Sequence, residues 1–332
     1  MHGIPTLTDV ARLAGVSENT VSRVIRNKGP IADATRGRVI SAIDTLGYVP
    51  NRAAGSLASS GSMLIGVLLP SLSNIVFPEV LRGIHSALAS TEYQALIGVT
   101  EYDVFIEQGI VSSLLAWKPA AIIMTGFEHT DATRRMLANT RVRVAELMDI
   151  DAEPIDIAIG LSHRKAGYDS GMHLISRGYR RFGYVGHDWV ADRRARMRYE
   201  GLCAALSEAG LTLAGEQRFD GPSSTIAGRD TLASLLLKGL DVDVVVFSND
   251  DMAVGGFFHC LSAGIIVKKD LGLFGFNGLD IGQSLPTPLS TVRSNRFLIG
   301  RTAVEKLLEG GERPADKQIV DTGYEIVDGA TA

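Results

Sequence analysis

The side chains with chemistry to offer gather where apolar runs give way to polar residues. Asn74 and Phe77 follow the run LIGVLLP. Glu146 and Asp149 follow a second run in VAELMD, Asn249 ends a third in FSNDDMAVG, and Asn277 ends a fourth in LFGFNGLD. Arg193, Arg194, Arg196 and Arg198 crowd the start of one helix, and Arg296 lies in TVRSNRFLIG. Carboxylates and carboxamides pair with hydroxyls, and a guanidinium forms two parallel bonds with a carboxylate. Such residues around one cleft would suit a polyhydroxylated acid. Each also has a plainer reading. Asn74 caps a helix, Phe77 fills a core, Glu146 ends a solvated loop, and most of the arginine run is a solvated face. Enzyme chemistry finds no support: there is no G-x-x-x-x-G-K-[ST], H-E-x-x-H or G-x-S-x-G. The histidines are scattered, and His163, His173, His187 and His259 read as surface or core groups. No metal or cofactor is expected.

A second polar set lies near the N-terminus, in TLTDVARLAGVSENTVSRVIR. Leu7, Val10, Ala11 and Ala14 share one helical face, and Thr6 with Asp9 resembles a capping box. Gly15 supplies a turn and Ser17 caps the next helix. Val21, Val24 and Ile25 then face inward, leaving Glu18, Asn19, Ser22, Arg23 and Arg26 outward. A polar, basic helix face beyond a glycine turn suits the DNA major groove. Thr35 to Leu46 reads as a third helix, with Val39, Ile40, Ile43 and Leu46 inward. Ala32 stands where a capping residue is wanted, and Asp33 is expected to cap one position later. Gly37 within this helix costs about 1 kcal/mol against alanine.

The elements that must position the first set begin at Leu64. Strands are expected at Leu64–Leu69, Tyr93–Val99, Ala120–Met124 and Val142–Leu147, then at Arg181–Gly186, Val242–Phe247 and Leu271–Phe276. Helices between them include Phe77–Thr91, Val104–Trp117, His163–Arg177, Asp192–Ala209, Thr225–Leu237 and Asp250–Ala263. Apolar strands alternating with amphipathic helices indicate parallel sheets covered on both faces. Two such series suggest two doubly wound lobes, with ligand outside the carboxyl ends of the strands.

The chain of 332 residues is long enough for two or three domains. Its net charge of −4 hides an asymmetry: through Ser60, seven basic residues face four acidic ones, so the head is basic and the body acidic. A basic head fits phosphate contact at one end, but the excess is small, so two heads are expected to act together. Cys203 and Cys260 have no partner at metal-ligand spacing and read as small core thiols. No signal segment and no apolar run of the ~18 residues a membrane span needs are seen, so a cytoplasmic protein without membrane contact is expected.

TLTDVARLAGVSENTVSRVI, LGYVPNRAAGSLA and LIGVLLP, in this order and spacing, resemble the lac repressor family over nearly the whole chain. IGVLLPSLSNIVFPEVLRGI and VAELMD resemble its gluconate-operon branch most. The resemblance implies an all-α helix-turn-helix head (1–49), a hinge helix and linker (50–62), and an α/β periplasmic-binding-protein-like body (63–332) of two doubly wound parallel-sheet lobes. The N-lobe would span about 63–161 and 293–321, the C-lobe about 162–292 and 322–332. It implies double-stranded operator DNA as partner, with contacts from Thr6, Leu7, Ser17, Glu18, Asn19, Thr20, Ser22, Arg23 and Arg26. Asn51, Ala54 and the wedge residue Leu57 would come from the hinge, where Gly55 departs from a usual helix former. It implies a small effector, a sugar acid, sugar phosphate or sugar, held by Asn74, Phe77, Glu146, Asp149, Arg198, Asn249, Asn277 and Arg296. Asn277 stands where many relatives have Asp, which eases anion binding but equally fits a neutral sugar. Effector releases DNA in the lac and gluconate branches and tightens it in the purine branch. The ending DTGYEIVDGATA lacks leucine heptads, so a homodimer is expected rather than a tetramer.

Overall fold

The computed structural model describes residues 4–27, 29–50, 62–190, 192–309, 313–314 and 316–332. The expected hinge contacts Asn51, Ala54 and Leu57 lie outside the described residues. The chain divides into two compact units, Met1–Ser62 and Met63–Ala332.

Among its described residues the first unit holds three helices, α1 (Leu7–Ala14), α2 (Glu18–Ile25) and α3 (Asp33–Leu46). Thr6 and Asp9 form the full capping box: Thr6 Oγ1 accepts from the Asp9 amide, and Asp9 accepts from the Thr6 amide at 3.0 Å. Such a cap contributes about 1 kcal/mol. Gly15 ends α1 at φ 65, a left-handed turn that a side chain would strain. Ser17 accepts from the Thr20 amide and starts α2. Val10, Ala11, Ala14, Val21, Val24, Val39 and Ala42 make the core. Two expectations are corrected in α3. Asp33 is its first helical residue and caps nothing, and the N-cap is Ala32, which offers no side-chain cap. Ile40 is 47 % exposed, and Ala42 takes the inner place instead.

The second unit holds two parallel sheets. The N-lobe sheet contains β1 (Leu64–Leu69), β2 (Gln94–Val99), β3 (Ala121–Thr125), β4 (Arg143–Leu147), β5 (Ile157–Gly160) and β11 (Gln318–Asp321), in the order β11-β5-β4-β3-β1-β2. The C-lobe sheet contains β6 (Phe182–Gly186), β7 (Leu213–Arg218), β8 (Val244–Phe247) and β9 (Gly272–Phe274), in the order β7-β6-β8-β9. Every pairing within these sheets is parallel. Strands such as β3 and β8 are buried on both faces, which is why their sequences read as unbroken apolar runs. The N-lobe helices are α4 (Phe77–Leu88), α5 (Val104–Ala116), α6 (Asp131–Ala138) and α12 (Arg296–Leu308). The C-lobe helices are α7 (His163–Ser176), α8 (Arg193–Glu208), α9 (Thr225–Leu236), α10 (Asp250–Ala263) and the short α11 (Asp280–Gln283).

The chain leaves β5 and enters α7, so residues 161 and 162 cross between lobes. A two-stranded antiparallel ladder of β10 (Thr291–Ser294) and β12 (Tyr324–Val327) carries two further crossings. Parallel bridges from Phe274 to Ser290 and from Asn277 to Arg293 tie β10 to the C-lobe sheet. The strands β5, β7, β10, β11 and β12 did not stand out in the sequence, being four residues long or, in β7, polar and part-exposed. Cys260 is fully buried as expected, whereas Cys203 is half-buried. Among the described residues, no helix is long and apolar enough to cross a membrane.

Candidate functional site

The expected head contacts Glu18, Asn19, Arg23 and Arg26 are all exposed on or just beyond α2, while Thr20 and Ser22 are half-buried. Thr6 and Ser17 spend their hydroxyls on helix caps, and half-buried Leu7 packs against the core. Thr8, which the sequence reading passed over, donates to Glu18 Oε1 at 2.6 Å.

In the second unit the carboxyl ends of the C-lobe strands carry most of the polar groups. Arg198 is the centre. Its side chain lies over the Phe276 ring, 4.1 Å from the centroid. Nη2 donates to the Ser248 carbonyl at 2.8 Å and to Asn249 Oδ1 at 3.2 Å, and Nη1 donates to His163 Nδ1 at 3.2 Å. Helix α8 can bring it there because α7 and α8 touch backbone to backbone. A Cβ on Gly167 would stand 2.0 Å from the Arg198 carbonyl oxygen, and one on Gly201 would stand 2.0 Å from that of Arg164.

One turn earlier on the same face is Arg194, only 14 % exposed in its side chain. In the sequence most of this arginine run is expected to be a solvated face, and Arg194 departs from that expectation. Arg193 and Arg196 are more than half exposed, and they alone form the solvated face. Arg194 stands 6.0 Å from the Phe77 ring, and the carboxylates of Asp192, Asp149 and Glu128 act to balance its charge. It therefore reaches from the C-lobe towards the N-lobe. The four-residue spacing of Arg194 and Arg198 was the available signal, since such residues share a helix face.

Asp192 joins the two arginines. Its Oδ1 accepts from the Ala195 amide at 3.2 Å, and its Oδ2 lies 3.4 Å from His187 Nε2 and 3.9 Å from Arg198 Nη2. Burial acts to raise this carboxyl, but the His187 hydrogen bond and the charges of Arg194 and Arg198 outweigh it and hold it well below the ordinary range. For Arg198 the balance goes the other way: burial draws its pKa down against the attraction of Asp192.

Across from these lie N-lobe residues. Asp149, 4 % exposed, accepts from the Asp151 amide at 2.9 Å. Burial pushes its carboxyl up to about 6, with Arg194 acting in the opposite direction. Asn74 donates to Tyr102 Oη at 2.9 Å and accepts from the Val76 amide, so it orders its loop as well as facing the phenol. Phe77 is fully buried in the N-lobe core. Arg193 and Glu128 form a 2.8 Å ion pair between the lobes.

Glu146 does not join this group. On β4 it shares the face of Val144, away from Ala145 and Leu147, and it is fully buried. Its carboxylate accepts from His129 Nε2 at 3.2 Å and from the Ile155 amide, while His129 Nδ1 meets Glu107 at 2.7 Å. It is neither a solvated loop end nor a neighbour of Arg198. Arg296 and Asn277 form a second local pair, in which Arg296 donates to the Asn277 carbonyl, at an asparagine held at φ 120. Burial lowers the Arg296 pKa, against the opposing influence of Asp250, Glu79 and Asp280. The guanidinium that acts on Arg198 is that of Arg194.

Three of these arginines keep a buried N–H without a partner among the described residues: Arg194 Nη1, Arg198 Nε and Arg296 Nε. No cluster of His, Cys, Asp or Glu among the described residues could hold a metal. The arrangement can bind, by charge-assisted hydrogen bonds, but it offers no nucleophile and base aimed at a common point.

A three-helix head with an exposed polar α2, in a chain whose second unit is a two-lobed sheet protein with a dry arginine site, defines a ligand-binding regulator of DNA. Residues 6–51 match the family described as bacterial regulatory proteins, lacI family, and residues 62–325 match the periplasmic binding proteins and sugar binding domain of that family. The chain belongs to the lac repressor family of transcriptional regulators and is not an enzyme. It is 37 % identical over 328 residues to the transcriptional regulator GntR of Pseudomonas aeruginosa, covering 98 % of this chain and 95 % of that one. It is 34 % identical over 329 residues to IdnR of Escherichia coli, covering 98 % of both. Among solved structures, a LacI-family regulator from Silicibacter pomeroyi superposes with a TM-score of 0.92 at 41 % identity, covering 98 % of this chain and 99 % of the other. The lac repressor dimer bound to operator and an anti-inducer superposes with a TM-score of 0.85 at 25 % identity, covering 98 % of each chain.

Proposed function

We propose that this regulator represses genes for the use of a sugar acid and leaves its operator when a gluconate-like acid, or a sugar phosphate, enters between Arg194, Arg198 and Asp149. The observation that carries this is the pair of buried guanidiniums one turn apart, each with an N–H unpartnered among the described residues, with Asp192 and Asp149 acting on both. Two like charges in a partly dry site repel, and an anion between them relieves the repulsion. Asn74 and Asn249 would take hydroxyls. Full-length similarity to the regulators GntR and IdnR agrees with the gluconate-operon branch that the sequence resembles.

The operator would be read by α2, chiefly through Glu18, Asn19 and Arg23, with Leu57 of the hinge wedging a minor-groove step. The boundaries 1–49, 50–62 and 63–332 would separate reader, hinge and effector body. Two copies would act together in the cytoplasm. Edge strand β2 exposes Leu96 and Ile97 at 45 % and 47 %, and such an open edge is a place that a second chain could cover.

Calorimetry with gluconate, its 6-phosphate and glucose, on wild type, Arg194→Ala, Arg198→Ala and Arg296→Ala, tests the reading. The acids should bind more tightly than glucose and lose at least about ten-fold in affinity in the Arg194 and Arg198 variants, the loss of a charge-assisted bond. Tighter glucose binding would make the effector a neutral sugar, and acid binding that survives both changes would place the anion contact away from Arg194 and Arg198.

A further inference from the structure

His163, which opens the helix after the first crossing, bonds both to the candidate effector arginine and to the opposite lobe. It lies three residues past the end of β5, is the first residue of α7, and is 2 % exposed. Its Nε2 meets the Met148 carbonyl at 2.7 Å, and its Nδ1 meets Arg198 Nη1 at 3.2 Å. A carbonyl only accepts and a guanidinium only donates, so the ring must be neutral with its proton on Nε2. Burial, then the charges of Arg198 and Arg194, keep a second proton off and hold the imidazole well below its ordinary pKa, with the Met148 carbonyl and Asp192 acting the other way. The ring also lies 5.8 Å from Phe276, the ring that Arg198 covers.

Met148 is equally fixed. It follows β4 at a left-handed φ of 76, and its amide donates to the Ile159 carbonyl at 2.9 Å. Gly160 makes this approach possible, since a Cβ there would stand 2.5 Å from the Asp149 amide nitrogen. Asp149 is the next residue. A continuous path of bonds thus runs from Arg198 in the C-lobe, through the ring at the crossing, to the N-lobe strand end that carries the cleft carboxylate.

We infer that His163 is a positioning residue that couples Arg198 to the N-lobe strand end at Met148, so that ligand taken by Arg198 alters how the lobes meet at their first crossing. A ligand carboxylate that draws Arg198 forward must either carry His163 with it or leave Nδ1 unsatisfied in a dry site. The first displaces the bond to Met148, and the second costs the desolvation of a buried acceptor. In both cases ligand affinity depends on the lobe arrangement, and that difference is what an effector needs to shift an equilibrium. The inference rests on the proposed role of Arg198 as an effector contact.

The full chain carrying His163→Phe or His163→Asn tests it, with gluconate as the probe. Phenylalanine keeps the ring and removes both bonds. Asparagine keeps an acceptor at the Nδ1 place for Arg198 but carries nothing at the Nε2 place, so it loses the Met148 bond alone. His163→Phe should lose at least about ten-fold in gluconate affinity and most of the gluconate effect on operator binding, as expected for a lost buried bond, while operator binding without gluconate stays within about two-fold. His163→Asn, with the Arg198 bond kept and the Met148 bond lost, should recover gluconate affinity but not the gluconate effect on operator binding. A normal response in His163→Phe overturns this inference alone. Gluconate that fails to bind wild type, or binds Arg198→Ala equally well, overturns the effector reading. Should His163→Phe not fold, the nitrogen spectrum of wild-type protein labelled at histidine decides. The signal missing in His163→Asn must carry its proton on Nε2, keep Nδ1 bare, and move in Arg198→Ala. A proton on Nδ1 overturns the coupling, because that nitrogen could not then accept from Arg198.

Discussion

Thr8 on α1 donates its hydroxyl proton to Glu18 on α2 at 2.6 Å, fixing one carboxylate oxygen of a residue on the exposed face of the head. The bond is charge-assisted and leaves Oε2 as a directed acceptor. Near the start of a recognition helix, such an acceptor suits the amino group of cytosine. Operator selection should therefore favour cytosine at one position per half-site. Glu18→Gln should change that position towards adenine. Thr8→Val should broaden it while leaving the others sharp, and Thr8→Ser should restore it. Identical selected sequences for wild type and Glu18→Gln would remove Glu18 from the readers.

Arg23 is the exposed cation of α2, and its guanidinium packs against Gly29, where a Cβ would stand 2.6 Å from Nη2. Arginine pairs with guanine through two bonds, contributing about 1–3 kcal/mol of discrimination. Arg23→Ala should lose that preference, weakening specific binding about ten- to a hundred-fold, the same energy expressed as a ratio. The melting temperature should not change, because the side chain supports no core contact. Gel-shift titration against specific and random DNA, beside a thermal melt, separates reading from folding. An unchanged ratio of specific to random affinity would place the reading elsewhere.

The buried group of Glu107, His129 and Glu146 makes a prediction about stability. Both imidazole nitrogens face carboxylates, which can only accept, so the ring must carry two protons. Burial alone would lower its pKa, but the hydrogen bonds to Glu107 and Glu146 outweigh that and raise it to about 9 from 6.5. A raised folded-state pKa gives stability that is fully present below about 6.5 and is lost as pH rises through about 9. His129→Leu should destabilise by about 3–5 kcal/mol, since it leaves two carboxylates buried without their cation. Thermal melts of wild type should fall between neutral pH and pH about 9, and those of His129→Leu should not share that fall. Glu146→Gln should cost stability yet leave effector affinity unchanged. A selective loss of effector binding in that variant would return Glu146 to the cleft.

The comparison of Glu146 with Asp149 explains what the sequence could disclose. Both follow one apolar run, and strand alternation decides their fates. Glu146 is still inside β4 and turns to the helix-covered face, whereas Asp149 lies beyond the strand and reaches the cleft. The unbroken apolar runs made the buried parallel strands legible, and the caps at Thr6, Ser17 and Gly15 made the head legible. Strands β5 and β11, four residues each, carried too little pattern, and their place is set by pairing across the crossings. Arg194 was hidden in a charged run because its burial depends on the approach of the N-lobe, a contact distant in sequence. His163 was hidden for the same reason, since its partners lie 15 and 35 residues away.

Asp149 should give effector binding a pH dependence. Its carboxyl, raised to about 6 by burial, is mostly ionised at pH 7.5 and mostly protonated at pH 5. A sugar acid, with an ordinary carboxyl pKa near 4, remains largely an anion over that range. Lowering the pH through about 6 therefore removes a negative charge facing Arg194 without removing the one on the ligand. At an effective dielectric between protein and water, one such charge several ångströms away amounts to roughly 1 kcal/mol, or about five-fold in affinity. The acid should bind about five-fold more tightly at pH 5 than at pH 7.5, by that same Coulomb term, whereas glucose should not respond. Asp149→Asn should bind the acid at pH 7.5 as tightly as wild type does at pH 5, with little further change on acidification. For folding the sign agrees: the raised pKa means that this group favours the folded state at low pH and loses that contribution as pH rises through about 6. Calorimetry of gluconate and glucose at both pH values, on wild type and Asp149→Asn, makes the measurement. Acid affinity that falls on acidification, or a wild-type slope retained in Asp149→Asn, would remove Asp149 from the cleft's charge balance.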